Sequence, residues 1–256
     1  MSHPAHGPCG VTQLSGSEVS RPVYDWPTLH ERIHCLRTRN PLTVDFVRHG
    51  ESVANEMGLV AGARDVPLTR RGREQAHALG RSLTQRYAQV WSSTLGRSKE
   101  TLLSILDGSE NYGAPWYADC RLNERHLGVL EGHLRTFVPE YAAGDLEFAP
   151  PGGESYLDLT QRTLSFLVDL VDPNMGPATA GPILVSTHAG PLRVVYALFE
   201  GTTDRREMLA LDVSNASVYR RVIQRLSWPH FLHNFDCSHA QAFRAVVRSN
   251  GGTGNT

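Results

Sequence analysis

The chain is poor in the features that would place it in several large functional classes. Its four cysteines, Cys9, Cys35, Cys120 and Cys237, lie far apart with no short paired spacing, which gives no zinc knuckle and no redox dithiol. A reduced, cytoplasmic protein fits this usage. Neither sign of charge is in excess: 25 Lys+Arg face 26 Asp+Glu, for a net charge of −1. No broad basic field is available to hold nucleic acid or an anionic membrane, so any anion site must be local. No run approaches the ~18 apolar residues of a membrane span, and Met1 to Ser20 lacks the basic start and apolar stretch of a signal peptide. The GxSxG elbow of serine hydrolases is absent, as is any internal repeat. His126 and His133 are seven residues apart, but a metal site needs a third ligand close by.

What remains is a chain of 256 residues, long enough for one large α/β domain with a substantial core. Residues 1–40 read as a flexible N-terminal extension: 1–22 are rich in Ser, Gly, Pro and His, and the spacing of Leu29, Ile33 and Leu36 after Pro27 predicts a short amphipathic helix over 27–37. The main domain, 41–228, alternates strand-like and helix-like segments. Strands are predicted at Leu42–Val47, Ala88–Ser92, Ile183–Thr187 and, at an edge, Ser217–Ile223, with an extended segment at Pro115–Leu122. Helices are predicted at Gly72–Arg86, Arg97–Leu106, Tyr156–Val171 and Pro191–Phe199. The alternation implies a three-layer α/β/α sandwich with a mostly parallel central sheet, in which ligands bind beyond the carboxyl ends of the strands. Residues 229–256 form a C-terminal tail, with a helix predicted at Ala240–Arg248 and a disordered end of Gly, Asn and Thr.

Two histidines fall just after predicted strands: His49 in Arg48-His49-Gly50-Glu51, and His188 in Ser186-Thr187-His188-Ala189-Gly190. Between them come Pro67-Leu68-Thr69 with Gly72, Ser92-Ser93-Thr94-Leu95 with Arg97 and Thr101, Leu122-Asn123-Glu124-Arg125, and Gly152-Gly153-Glu154-Ser155. Taken in this order, with Asn55, these residues resemble the histidine phosphatase superfamily, whose members include cofactor-dependent phosphoglycerate mutase and many small-molecule phosphatases. The resemblance spans about residues 42 to 223 and implies a phosphoglycerate mutase-like fold without metal or cofactor.

A neutral imidazole is a good nucleophile toward phosphorus because its reference pKa near ~6.5 leaves a lone pair available at pH 7. His49 is the expected nucleophile, and the resemblance places its other ring nitrogen on the Gly50 carbonyl. It also makes Arg48, Arg97 and His188 the phosphate holders. Fixed donors lower the barrier where charge spreads over three equatorial oxygens, and guanidinium offers a planar fork that stays charged. A protonated His188 would add a positive charge. Asn55 can add an amide donor, Ser52 a hydroxyl, and Ala189 stands at a helix start that favours anions. Departure of the leaving group needs a proton, and Glu124 matches the family's acid position; Glu131 and Glu51 are competing carboxylates. Arg125 is a further substrate-binding candidate and, as an ion-pair partner, the alternative reason for Glu124. Glu154 is another, although Gly152-Gly153-Glu154-Ser155 also reads as a plain helix cap.

Arg121-Leu122-Asn123-Glu124-Arg125-His126 looks more like the mutases, and Arg135 falls where they carry a lysine that meets substrate. Three departures point the other way. Leu127 replaces the mutase tyrosine, Val60-Ala61-Gly62-Ala63 replaces a Phe-Thr-Gly-Trp pattern, and residues 136–150 carry Glu140, Asp145 and Glu147 but no tandem arginines. A phosphatase acting on a small monophosphate ester with a neutral or amine-bearing remainder is the reading these departures favour. A mutase-type phosphotransferase is the alternative, and a catalytically quiet phospho-ligand scaffold is a third class. The expected partner is a small phosphorylated metabolite; a homodimer is left open.

Overall fold

The computed structural model describes residues 17–35, 42–137, 147–171, 181–200, 208 and 210–223. Six strands form one sheet: β1 (Ser17–Val19), β2 (Leu42–Arg48), β3 (Gln89–Ser92), β4 (Trp116–Asp119), β5 (Ile183–Thr187) and β6 (Val218–Ile223). Their spatial order is β1-β4-β3-β5-β2-β6, and every pair is parallel except β2 with β6. Among the described residues six α-helices accompany them: α1 (Trp26–Cys35), α2 (Val53–Glu56), α3 (Arg70–Ser82), α4 (Gly96–Asp107), α5 (Tyr156–Val171) and α6 (Ala189–Glu200).

The central strands are buried on both faces, so they read as apolar runs whose alternate residues serve different layers. Val44, Phe46, Ile183 and Val185 point into a core shared with α5, α6 and Leu29 of α1. Val47, Val90 and Leu184 point the other way, onto Ala76 of α3 and Leu102, Ile105 and Leu106 of α4. This is the expected α/β/α sandwich.

Helix starts follow local capping chemistry. Thr69 Oγ1 accepts from Gly72 N at 3.0 Å and starts α3 before the predicted Gly72. The helix then ends at Ser82 rather than Arg86, because Leu83 leaves in an extended conformation and the chain beyond is held by Asn111, which accepts from Tyr87 N at 2.7 Å and donates to Gln85 O at 2.9 Å. At α5 the Ser155 hydroxyl accepts from Asp158 N while Asp158 accepts from Ser155 N. This reciprocal cap bears out the structural reading of the glycine-rich motif before it. α6 begins two residues ahead of Pro191, which the first turn of a helix tolerates.

The expectation of a flexible run over residues 1–22 fails for its last part. Ser17–Val19 adds an edge strand to β4, and Val19, Tyr24 and Trp26 pack on the main core. The reason is a polar anchor that composition does not reveal. Asp169 of α5 accepts from Tyr24 Oη at 2.7 Å and from Arg121 at 2.8 Å, and Arg121 reaches the Pro22 carbonyl at 3.3 Å. The predicted helix at 27–37 is seen as α1 and docks on α5, so the sheet and its core extend into the supposed extension. Residues 1–16 and the tail 224–256, including the predicted helix at Ala240–Arg248, lie outside the described residues.

Candidate active site

Three adjacent parallel strands, β3, β5 and β2, end side by side and deliver the central groups. Register pairs Arg48 with Thr187 and Ser92 with Ser186, so the next residues, His49, His188 and Ser93, meet at one edge. His49 N donates to Thr187 O at 2.9 Å, Ser93 N donates to Ser186 O at 3.1 Å, and the two imidazoles lie 5.0 Å apart between ring centroids. Both histidines are buried.

His49 Nδ1 lies 2.7 Å from the Gly50 carbonyl. A carbonyl cannot donate, so Nδ1 carries the proton and Nε2 keeps its lone pair. The turn that makes this possible needs a bare backbone: a Cβ on Gly50 would sit 2.3 Å from Gly72 O, and one on Gly72 would sit 2.0 Å from Glu51 O. Burial, and then the charges of Arg97 and Arg48, hold the His49 pKa well below its ordinary value, with a further push from Arg135. The neutral form therefore persists well below pH ~6.5. If His49 is the attacking base, the acid limb of kcat/KM lies well below that pH. A limb at or above it, measured with a substrate that does not itself titrate there, contradicts the assignment.

Arg97 is almost fully buried, at 1 % exposure. Its Nη1 donates to Arg64 O at 2.7 Å and Nη2 to Gly62 O at 2.8 Å, which fixes the plane of the fork. Burial lowers its pKa, while the carboxylates of Glu124, Asp65 and Glu131 favour its charge. Arg48 donates through Nη1 to Val213 O. His188 is likewise held well below its usual pKa by burial, Arg97 and His49. Burial thus favours the neutral form of His188, and the positive charge beside the two histidines comes from the arginines.

Glu124 lies at the start of α6. Its Oε1 accepts from Gly190 N at 3.0 Å and from Arg125 N at 2.9 Å. Gly190 leaves the room, since a Cβ there would fall 2.3 Å from that oxygen. The rival carboxylates have other duties. Glu131 Oε1 accepts from Ala63 N at 2.8 Å and Leu127 N at 2.9 Å, tying down the loop whose carbonyls orient Arg97. Glu51 Oε1 accepts from Thr69 Oγ1 at 2.9 Å.

The remaining candidates separate by their contacts. Asn55 Oδ1 is occupied by Ser52 N at 3.1 Å and Asn215 Nδ2 at 3.3 Å, which leaves the Asn55 amide NH2 as its donor for a ligand. Ser52 is fully buried and its hydroxyl caps α2, so it belongs to the scaffold. Arg125 Nε and Nη2 reach Glu154 O at 2.9 Å and Phe148 O at 2.6 Å, rather than serving as the ion-pair alternative for Glu124. Glu154 is clamped by Arg162 at 2.6 Å and by His126 N at 3.0 Å. Arg135 is exposed and bonds Leu59 O at 3.3 Å, with its charge within reach of His49. Ala189 is the first residue of α6, beside His188.

Two groups escaped the sequence reading. Asn215 Nδ2 donates to His49 O at 2.9 Å as well as to Asn55, fastening the segment before β6 to His49. Arg162, inside α5, donates to Arg121 O at 2.8 Å, Asn123 O at 2.7 Å and Glu124 O at 3.0 Å while pairing with Glu154. It shapes the loop that presents Glu124. If Glu124 is the general acid, Arg162→Met should cost on the order of 10²-fold in kcat/KM with alkyl phosphates, as a misplaced catalytic group does. The cost with p-nitrophenyl phosphate should be clearly smaller; equal losses would make Arg162 a general structural residue.

Comparison with known proteins accords with this geometry. Residues 44–234 match the model of the histidine phosphatase superfamily (branch 1), and the chain belongs to that family of enzymes. The chain is 35 % identical over 160 residues to a 2,3-bisphosphoglycerate-dependent phosphoglycerate mutase of Gloeobacter violaceus, covering 59 % of this chain and 72 % of that one. It is 32 % identical over 167 residues to a glucosyl-3-phosphoglycerate phosphatase of Mycolicibacterium vanbaalenii, covering 61 % and 73 %. Among solved structures, a mycobacterial glucosyl-3-phosphoglycerate phosphatase complexed with VO3 superposes with a TM-score of 0.60 at 26 % identity, over 70 % of this chain and 90 % of that one. Among the described residues no helix is long and apolar enough to cross a membrane.

Proposed function

We propose that the protein is a metal-independent phosphatase that hydrolyses a small phosphate monoester through a phosphohistidine on His49. The observation that carries this reading is the His49 imidazole, with Nδ1 on the Gly50 carbonyl and Nε2 free to attack beside Arg48, Arg97 and His188. In the first half-reaction Nε2 attacks phosphorus and the ester oxygen departs with a proton from Glu124. In the second, water attacks phosphorus, gives its proton to the Glu124 carboxylate, and releases inorganic phosphate and neutral His49. The guanidinium groups of Arg48 and Arg97 and the amide of Asn55 hold the equatorial oxygens.

Hydrolysis is preferred over phosphotransfer on the sequence of the stretch where mutases carry tandem arginines and on the residue at the mutase tyrosine's place. A mutase has to retain a bisphosphorylated intermediate, and the sequence over residues 136–150 holds three carboxylates and no Lys or Arg. Leu127, at the place of the mutase tyrosine, is buried with Val60 and Leu130 and offers no polar group. One observation favours the mutase reading: the charge of Arg135 reaches His49 and suits an anionic remainder on the substrate.

Incubation with 3-phosphoglycerate and a trace of 2,3-bisphosphoglycerate, following 2-phosphoglycerate and free phosphate together, separates the two. Slow handling of phosphoglycerates, beside fast phosphate release from another monophosphate in a screen run with EDTA, is the expected result. Formation of 2-phosphoglycerate much faster than phosphate would promote the mutase.

A further inference from the structure

We infer that Ser93 fixes His188 as the Nδ1–H tautomer, so that His188 serves the transferring phosphoryl group as a neutral hydrogen-bond donor through Nδ1. The reading of the site as a phosphoryl-transfer centre is taken over from above; the tautomer itself does not depend on whether water or a second substrate receives the phosphoryl group.

The argument is an accounting of buried polar atoms. Ser93 is fully buried and its Oγ lies 2.7 Å from His188 Nε2. The same oxygen accepts from Leu95 N at 3.3 Å. Other groups around it are already engaged: Ser93 N donates to Ser186 O at 3.1 Å, and the Ser98 hydroxyl donates to Ser186 O at 2.8 Å. Among the described residues the acceptor shown within reach of the Ser93 hydroxyl proton is His188 Nε2.

Two arrangements are open. If Nε2 carried the proton, Ser93 Oγ would accept twice, from Leu95 and from His188, and its own buried O–H would be left without an acceptor. Such a group costs about 1–3 kcal/mol, and the buried Nδ1 would be orphaned beside it, two unmet groups in all. If Nε2 is the acceptor, the serine is satisfied, the ring proton must sit on Nδ1, and that N–H is the one group left unmet instead of two. His188 Nδ1 is buried and has no hydrogen-bond partner among the described residues. It belongs to a ring stacked obliquely against the nucleophile, among the charges of Arg97 and Arg48. An N–H there is satisfied when a phosphoryl oxygen arrives, and burial keeps the ring neutral beforehand. Ser93 is on this account a positioning residue, acting through His188 rather than on the substrate.

The arrangement has a functional consequence. A neutral donor adds no charge repulsion against the arginines in the empty site, yet stabilises the oxygen charge that grows in the transition state.

The test is the tautomer of His188 in the ligand-free, full-length enzyme, read from long-range 1H–15N correlations and assigned through the residue's own backbone resonances. An Nδ1–H pattern with an unprotonated, hydrogen-bonded Nε2 is expected. In Ser93→Ala the pattern should move toward Nε2–H, with kcat/KM falling about 10- to 100-fold, less than the ~10²–10³ typical for removing an oxyanion donor outright. An Nε2–H pattern in the unmodified enzyme overturns the inference whatever the variant does. An unchanged tautomer in folded Ser93→Ala removes Ser93 from the role. Neither result touches the assignment of His49 as nucleophile, which the trapping experiment below tests separately.

Discussion

Replacing His49 by alanine is expected to lower kcat by at least ~10⁴-fold on every phosphate ester, including activated ones, because on the proposed mechanism the side chain removed carries the atom that bonds to phosphorus. Neighbouring groups cannot stand in for it. His188 presents Nε2 to Ser93, and Glu124 is tethered at the start of α6 by Gly190 N. The fold should survive, since the strand register on either side rests on backbone pairing between β2 and β5. Orthophosphate binding followed by calorimetry checks that the anion cradle persists. Residual turnover above a thousandth of the original would mean that another group attacks phosphorus.

Glu124→Gln carries the second large effect, and its signature is selectivity. General acid help is worth typically ~10²–10⁴-fold when the leaving oxygen needs a proton. Alkyl phosphates should lose that factor, whereas p-nitrophenyl phosphate, whose oxyanion leaves unaided, should lose far less in the first half-reaction. Glutamine preserves the acceptor that Gly190 N and Arg125 N require, so the loop should keep its shape. Equal losses on both substrates in kcat/KM, which reports the first half-reaction and not the shared second one, would remove Glu124 from the acid role, and the loss would then be traced to packing against α6.

The layered sheet and the histidine pair were legible because they follow from local pattern: β2 and β5 are short apolar runs, and ligands in such folds gather beyond strand ends. Arg48, Arg97 and Glu124 were placed by motif order alone, and the structure brings the two arginines and the carboxylate within electrostatic reach of one another or of His49. The supporting contacts were not legible. Arg162 looks like any exposed arginine on an amphipathic helix until the loop carrying Glu124 folds over it, and Asn215 reaches His49 from 166 positions away. No spacing rule encodes such encounters. The same holds for β1, whose three residues, Ser17–Val19, have no strand signal of their own and are held by the anchor at Asp169, Arg121 and Tyr24. Glu154 and Arg125 show the converse, motif residues whose side chains are engaged by partners elsewhere in the chain that no motif announces.

The central claim is that phosphate passes through His49, and the most direct measurement is a rapid quench with a labelled phosphate ester under turnover. The predicted result is acid-labile, base-stable label on the chain, formed faster than the steady state and localised to His49 by peptide mapping. Absence of any label on the pre-steady-state time scale, or unchanged labelling in His49→Ala, would contradict it.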